Sequence, residues 1–208
     1  MLSRDDFERL VQRVPSHGTE RHAHILYGLV RWLDPAIVVE VGACQGFTSC
    51  WLARALQDNR EADPKLQDRN LIVIDDYSLD ANAYPCFWHN IGLTQVADVV
   101  GVAKGNSREV EWPERVDLAY IDGDHSLEGV RFDVEKAISQ GARCIVLHDT
   151  QSWWGPRRYV EDSFPDGWTE ISAAFDNGLT VMMKRPEKAP EVFTQETYPT
   201  GALESRNG

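Results

Sequence analysis

Short apolar runs alternate along this chain with longer stretches in which apolar residues recur at helical spacing. Phe7, Leu10, Val11 and Val14 mark one face of a helix over 5–14, and Ile25, Leu26, Leu29, Val30 and Leu33 mark a second over 20–33. The run AIVVEVG at 36–42 is β-branched, uninterrupted and closed by glycine, the pattern of a strand buried on both faces of a parallel sheet. The same grammar then repeats. A helix at 48–56 leads to the strand NLIVID (70–75), and a helix around 82–95 leads to VADVVGVA (96–103). VDLAYID (116–122) passes through a helix at 127–141, ended by Gly141, to ARCIVLHD (142–149). The last two runs, 167–175 and 179–186, are separated only by Asp176, Asn177 and Gly178, a turn triplet that predicts an antiparallel hairpin. The expectation is an α/β fold: a doubly wound, mostly parallel seven-stranded sheet in one domain over 1–185, with leading helices in 1–34. Residues 59–69 read as a polar loop. The segment 186–208 has no periodicity and several prolines, and is expected to be a mobile tail.

Charge narrows the partners. With 33 acidic against 21 basic side chains the net charge is -12, so no broad basic surface offers counterion release to a nucleic acid. The charged, amphipathic start does not read as a signal peptide, and no apolar run approaches the ~20 residues of a membrane span. Cys44, Cys50, Cys86 and Cys144 show no CxxC pairing, which suits a reducing compartment. A cytoplasmic protein without nucleic-acid or membrane partners is expected.

In open α/β sheets ligands bind beyond the carboxyl ends of the strands. Those ends are strongly biased here: Glu40-Val41-Gly42-Ala43-Cys44-Gln45-Gly46, Asp75-Asp76, Asp122-Gly123-Asp124-His125 and His148-Asp149. Gly42 and Gly46 lie four apart, with Thr48 and Ser49 opening the next helix, so backbone can approach a ligand beside a helix N-terminus. A tight strand-to-helix turn would explain the glycines equally well. Asp75, an acid ending the following strand, shifts the balance because it can accept ribose hydroxyls. Asp122, Asp124, His148 and Asp149 come from two neighbouring strand ends, and this oxygen-rich set with one imidazole suits a divalent ion such as Mg²⁺. The plainer reading makes Asp124 a helix cap and His148 a satisfied histidine.

Taken together, VVEVGACQGFTS, LIVIDDYS, KGNSREV, VDLAYIDGDHSLEGVRFDVE and CIVLHDT resemble the class I S-adenosylmethionine-dependent methyltransferases, in the branch marked by D-G-D-H-S and a later H-D. The resemblance runs from about residue 36 to 184 and implies a Rossmann-like methyltransferase sheet. It also implies that Glu40, Gly42, Gly46 and Thr48 shape the place of the methionine moiety, Asp75 that of the ribose, and Asn106 and Ser107 that of the adenine. Asp122 adjoins the cofactor as well. Many relatives carry aspartate where this chain has Asn106. By the same resemblance Asp122 and Asp149 match the metal-holding positions of catechol-type and antibiotic-modifying enzymes. Thr150 stands where the catechol type has asparagine, leaving His148 to complete the set. His125 lies three residues past Asp122, where the catechol enzymes place a lysine base, and imidazole suits removal of a hydroxyl proton near neutral pH.

The expected activity is methyl transfer to a hydroxyl oxygen of a small molecule, such as a sugar, a phenol or another hydroxylated metabolite. Trp153 and Trp154 either wall the acceptor site or lie buried under a covering helix. The leading helices either cover the acceptor pocket or pair with a second copy in a homo-oligomer. Two rivals remain open at this level. A metal-dependent hydrolase would use the same acids but leaves the glycine loop and Asp75 unexplained. A non-catalytic cofactor-binding member of the fold would bind without turning over.

Overall fold

The computed structural model describes residues 1–16, 20–63, 65 and 67–186. Two helices, α1 (Arg4–Val11) and α2 (Glu20–Leu33), precede the sheet. The chain then runs β1 (Ile37–Val41), α3 (Phe47–Ala62), β2 (Asn70–Asp75), α4 (Ala83–Leu93), β3 (Val100–Lys104), β4 (Leu118–Ile121), α5 (Leu127–Ser139), β5 (Cys144–His148), α6 (Trp154–Asp162), β6 (Trp168–Ala173) and β7 (Leu179–Lys184).

The strand order is β3-β2-β1-β4-β5-β7-β6. The first five strands are parallel, and β7 runs antiparallel to both β5 and β6, as the turn triplet requires. The strand period of two sorts the core. Val38, Leu118, Tyr120, Cys144 and Val146 pack toward α1–α4, with Phe7, Leu26, Leu52 and Phe87 opposite. Their neighbours Val39, Val41, Ala119, Ile121, Ile145 and Leu147 pack toward α5 and α6, against Val130, Val134 and Tyr159. Strand order reverses between β1 and β4, so the connections after these strands leave to opposite faces and open a crevice at their carboxyl ends.

Three expectations change at the edges. Helix α3 continues through the first residues of the expected polar loop, because Asn59 is buried and donates to the Val30 carbonyl at 3.0 Å, tying α3 to α2. The third strand begins at Val100 rather than 96, since Ala97–Val99 form a 3₁₀ turn that buries Val96 and Val99 without pairing them. Helix α1 stops at Val11. The segment expected as a tail lies outside the described residues from 187 onward. Among the described residues no helix is long and apolar enough to cross a membrane.

Candidate functional site

A cavity of about 690 Å³ opens at the carboxyl ends of β1, β2, β4 and β5. Its floor depends on Gly42, which leaves β1 at φ +85°. A Cβ there would lie 2.2 Å from the Asp122 carbonyl oxygen, so only glycine lets the ends of β1 and β4 come this close. Gly46, at φ +87°, opens α3 without a side-chain cap. The loop between them is held by Asp75, whose Oδ2 accepts the amides of Ala43 and Cys44 at 2.7 and 2.8 Å and whose Oδ1 accepts that of Tyr77 at 2.6 Å. Asp75 lines the cavity and retains lone-pair capacity on Oδ1, but much of its carboxylate is committed to shaping the loop.

Thr48, Asn106 and Ser107 also line the cavity. Asn106 Oδ1 accepts the Arg108 amide at 3.0 Å, and the Ser107 carbonyl accepts from Trp112 Nε1 at 2.9 Å, so both residues fix the turn after β3. Glu40 is not part of the wall. It is fully buried behind the loop, accepts from Ser49 Oγ at 2.5 Å, and burial pushes its carboxyl up to about 8. The wall also holds Asp76, already marked as a strand end, and residues that sequence reasoning passed over, among them Asp80 and Leu79 after β2, Pro15 and Ser16 after α1, and Asn177 in the β6–β7 turn. The segment after α1 thus reaches the cavity while α2 packs on α3.

The other end of the cavity is acidic and imidazole-rich. Asp122 follows β4, His148 ends β5, and Asp149 takes φ +59°, a left-handed conformation that aspartate tolerates and that occurs at functional turns. His148 Nδ1 lies 3.1 Å from Asp122 Oδ1 and 3.1 Å from Asp149 Oδ1. His125 Nε2 lies 2.9 Å from Asp149 Oδ2 and 3.5 Å from Asp122 Oδ1. Tyr120 donates to Asp122 Oδ2 at 3.1 Å from below. Asp124 stands apart: it accepts the Ser126 amide at 2.9 Å, while Ser126 caps α5, so Asp124 serves the turn.

Charge dominates this cluster. Asp122 and Asp149 together raise His125 to about 9. Burial opposes charge on His148, yet the same two carboxylates outweigh it and lift that imidazole to about 10. In return, burial favours a neutral Asp149, but His125 and His148 hold it well below the usual carboxylate range; Asp122 is lowered in the same way. These are ion-pair contacts without hydrogen-bond geometry: His125 Nε2, His148 Nδ1 and Asp149 Oδ1 are buried and make no directed bond among the described residues. Ligand atoms of Asp122, His148 and Asp149 all lie within 4.8 Å of one another. The donor set, two carboxylates and one imidazole converging without directed bonds to one another, fits a divalent cation.

Trp153 stacks on His125, with centroids 4.8 Å apart and planes 11° apart. The approach depends on Gly155, where a Cβ would lie 2.1 Å from the His125 carbonyl oxygen. Trp153 and Trp154 are 52% and 65% exposed, so neither is buried under a helix. Behind the acids, His22 of α2 is wholly buried against His148. Its signal was present in the sequence, because His22 shares the helical stripe of Leu26 and Val30.

A family model described as a methyltransferase domain matches residues 39–150, more than half of the chain. The chain belongs to the methyltransferase domain family. No curated protein matches it by sequence. Several solved methyltransferases share its fold. The O-methyltransferase of Bacillus cereus, solved with SAH, superposes with a TM-score of 0.68 at 16% identity, covering 89% of this chain and 93% of that one. The O-methyltransferase TomG of Streptomyces achromogenes, solved with SAM and involved in tomaymycin synthesis, gives 0.65 at 16% identity, with 89% and 92% covered. A methyltransferase from Geobacter sulfurreducens gives 0.61 at 16% identity over the same shares.

Proposed function

We propose that this methyltransferase uses S-adenosylmethionine and delivers the methyl group to a hydroxyl oxygen of a small molecule, with help from a divalent cation, Mg²⁺ foremost. The observation that carries this reading is that one cavity joins the glycine loop and Asp75 at one end to Asp122, His125, His148 and Asp149 at the other. A cofactor and an acceptor can therefore meet in a single space, which supports the D-G-D-H-S and H-D resemblance. The names of the structural relatives, O-methyltransferases solved with SAH or SAM, support the same assignment.

In this reading the loop from Gly42 to Thr48 receives the methionine moiety, with Glu40 stiffening it from behind through Ser49. Asp75 faces the ribose, and Asn106 and Ser107 face the adenine. Asp122, His148 and Asp149 hold the cation. The bound cation supplies positive charge at the acceptor oxygen and lowers the pKa of its hydroxyl. His125 holds or releases a proton at Nε2, the nitrogen that faces Asp149. It is kept protonated while the carboxylates face it unneutralised, and becomes a base when their charge is balanced otherwise. Trp153 orients that ring. The chain's remaining contribution is to align donor and acceptor and to exclude water.

Isothermal titration of S-adenosylhomocysteine into the full chain, with and without Mg²⁺, tests the proposal, and Asp149→Ala serves as the cation control. Binding in the wild type, with a Mg²⁺ response that Asp149→Ala abolishes, is the expected result. Absence of binding under both conditions overturns the cofactor assignment and returns the acidic cluster to hydrolytic chemistry.

A further inference from the structure

The cation site has a second layer, contributed by the leading helix. His22 is wholly buried, and its ring lies 4.6 Å from that of His148, centroid to centroid, at 77°. Nε2 of His22 is 3.4 Å from the Phe175 carbonyl oxygen and 3.8 Å from Asp176 Oδ2. A carbonyl oxygen accepts and cannot donate, so this contact assigns the His22 proton to Nε2 and leaves a lone pair on Nδ1. That Nδ1 is buried and has no hydrogen-bond partner among the described residues.

His148 presents the complementary defect. Its Nδ1 faces Asp122 and Asp149, the position of a cation ligand, so in the cation-holding form its proton sits on Nε2. His148 Nε2 is also buried and without a partner among the described residues. One buried nitrogen carries a proton to donate and the other a lone pair to accept it, in adjacent rings. Either one left unmet carries a desolvation cost. A ligating histidine ordinarily donates its second ring N–H to an acceptor that fixes its tautomer and orientation, and loss of that acceptor weakens metal binding.

We propose that His22 is a positioning residue for the cation site: the two nitrogens make no hydrogen bond to each other in this structure, and when a cation holds Nδ1 of His148 between Asp122 and Asp149, Nδ1 of His22 accepts the Nε2 proton of His148 and fixes that ring. The inference rests on the cation reading above. In the cation-holding form that bond would extend the His22–Phe175 link seen in this structure to the cation ligand, joining the end of the sheet, helix α2 and the β6–β7 turn. If His22 were only filling space beside Leu26 and Val30, phenylalanine would serve as well.

The test is Mn²⁺ binding to the full chain, followed by the electron paramagnetic resonance of the free ion. His22→Phe keeps the ring and removes both nitrogens. It should weaken Mn²⁺ binding about 10- to 100-fold while leaving S-adenosylhomocysteine affinity unchanged, and His22→Gln, which restores an acceptor, should recover part of the loss. Equal Mn²⁺ affinity in wild type and His22→Phe, with binding lost in Asp149→Ala, overturns the role of His22 and leaves the cation site standing. A wild type that does not bind Mn²⁺ overturns both. If His22→Phe fails to fold, long-range imidazole ¹H–¹⁵N spectra of the Mg²⁺-loaded wild type decide. A proton on Nε2 of His148 with a ¹⁵N–¹⁵N coupling across the hydrogen bond to Nδ1 of His22 is expected, and a proton on Nδ1 of His148 or the absence of that coupling overturns the proposal.

Discussion

The two ends of the cavity are built around the same kind of side chain, aspartate, and use it differently. At the β1–β2 end the carboxylates are spent on backbone. Asp75 accepts three amides, and Asp76 and Asp80 accept those of Ser78 and Asn82. At the β4–β5 end Asp122 and Asp149 face two imidazoles at ion-pair distance, and several of these atoms make no directed bond among the described residues. A carboxylate saturated with amides maintains a shape. Carboxylates crowded against imidazoles without directed bonds instead make a place where protons and cations exchange cheaply. The first end is therefore a preformed cradle and the second a reactive cluster, and substitutions should separate them.

The largest effect should come from the reactive end. His125→Ala removes the group placed to move the acceptor proton, and kcat should fall about 10²- to 10⁴-fold. S-adenosylhomocysteine affinity, measured by titration, should not change, because the cradle is untouched. A parallel loss of cofactor affinity would mean that the two ends are not separable.

Asp75→Ala should do the converse. Two amides of the glycine loop and that of Tyr77 lose their acceptor, which costs on the order of 3 kcal/mol of stability or of cofactor affinity, about 100-fold if all of it appears in binding. Thermal melts and titrations with S-adenosylhomocysteine divide the loss between the two. Turnover of the residual cofactor-bound enzyme should persist.

The cradle was far more legible in the sequence than the cluster. A glycine loop after a β-branched run, followed by an acid at the next strand end, depends on local pattern, and the parallel strands set its place almost without further information. What the pattern could not show is that Asp75 reaches back to Ala43 and Cys44, a consequence of the β1–β2 register. The cluster needed tertiary packing. Asp122, His148 and Asp149 were recognisable as neighbours because β4 and β5 pair, but His22 arrives from a helix more than a hundred residues away in sequence. The stacking of Trp153 on His125 depends on the close approach at Gly155, which no periodicity signals. Helix α3 overran the expected polar loop because Asn59 found a buried partner, and such partners belong to packing rather than composition.

Glu40 gives a pH-dependent way to sharpen the comparison. It lies behind the cradle, where burial pushes its carboxyl up to about 8 against a usual 4.5, with Asp122 and Asp75 adding to the shift and the Ser49 hydroxyl opposing it. Between these values the folded chain keeps a proton that the unfolded chain has lost. The stability from that proton is full below about pH 4.5 and is lost as pH rises toward 8, at up to about 1.4 kcal/mol per pH unit. Glu40→Gln still accepts from Ser49 but does not titrate. Its melting temperature should stay flatter than the wild type's over this window, and identical slopes would show that Glu40 is ionised in the fold.

The smallest effect belongs to Trp153, where the measured quantity matters more than its size. Its stack on His125 is worth about 0.5–1.5 kcal/mol by analogy with other aromatic pairs, so Trp153→Ala should cost about two- to tenfold. If the indole serves to orient the His125 ring, the loss falls on kcat and leaves the acceptor KM unchanged. If the half-exposed indole instead offers a face to the acceptor, KM rises and kcat holds. Trp154→Ala separates the cases further, since Trp154 lies more exposed and makes no ring contact with His125. A loss confined to Trp153 and to kcat assigns the stack to the reactive end, whereas matching KM losses in both variants extend the acceptor site onto the start of α6.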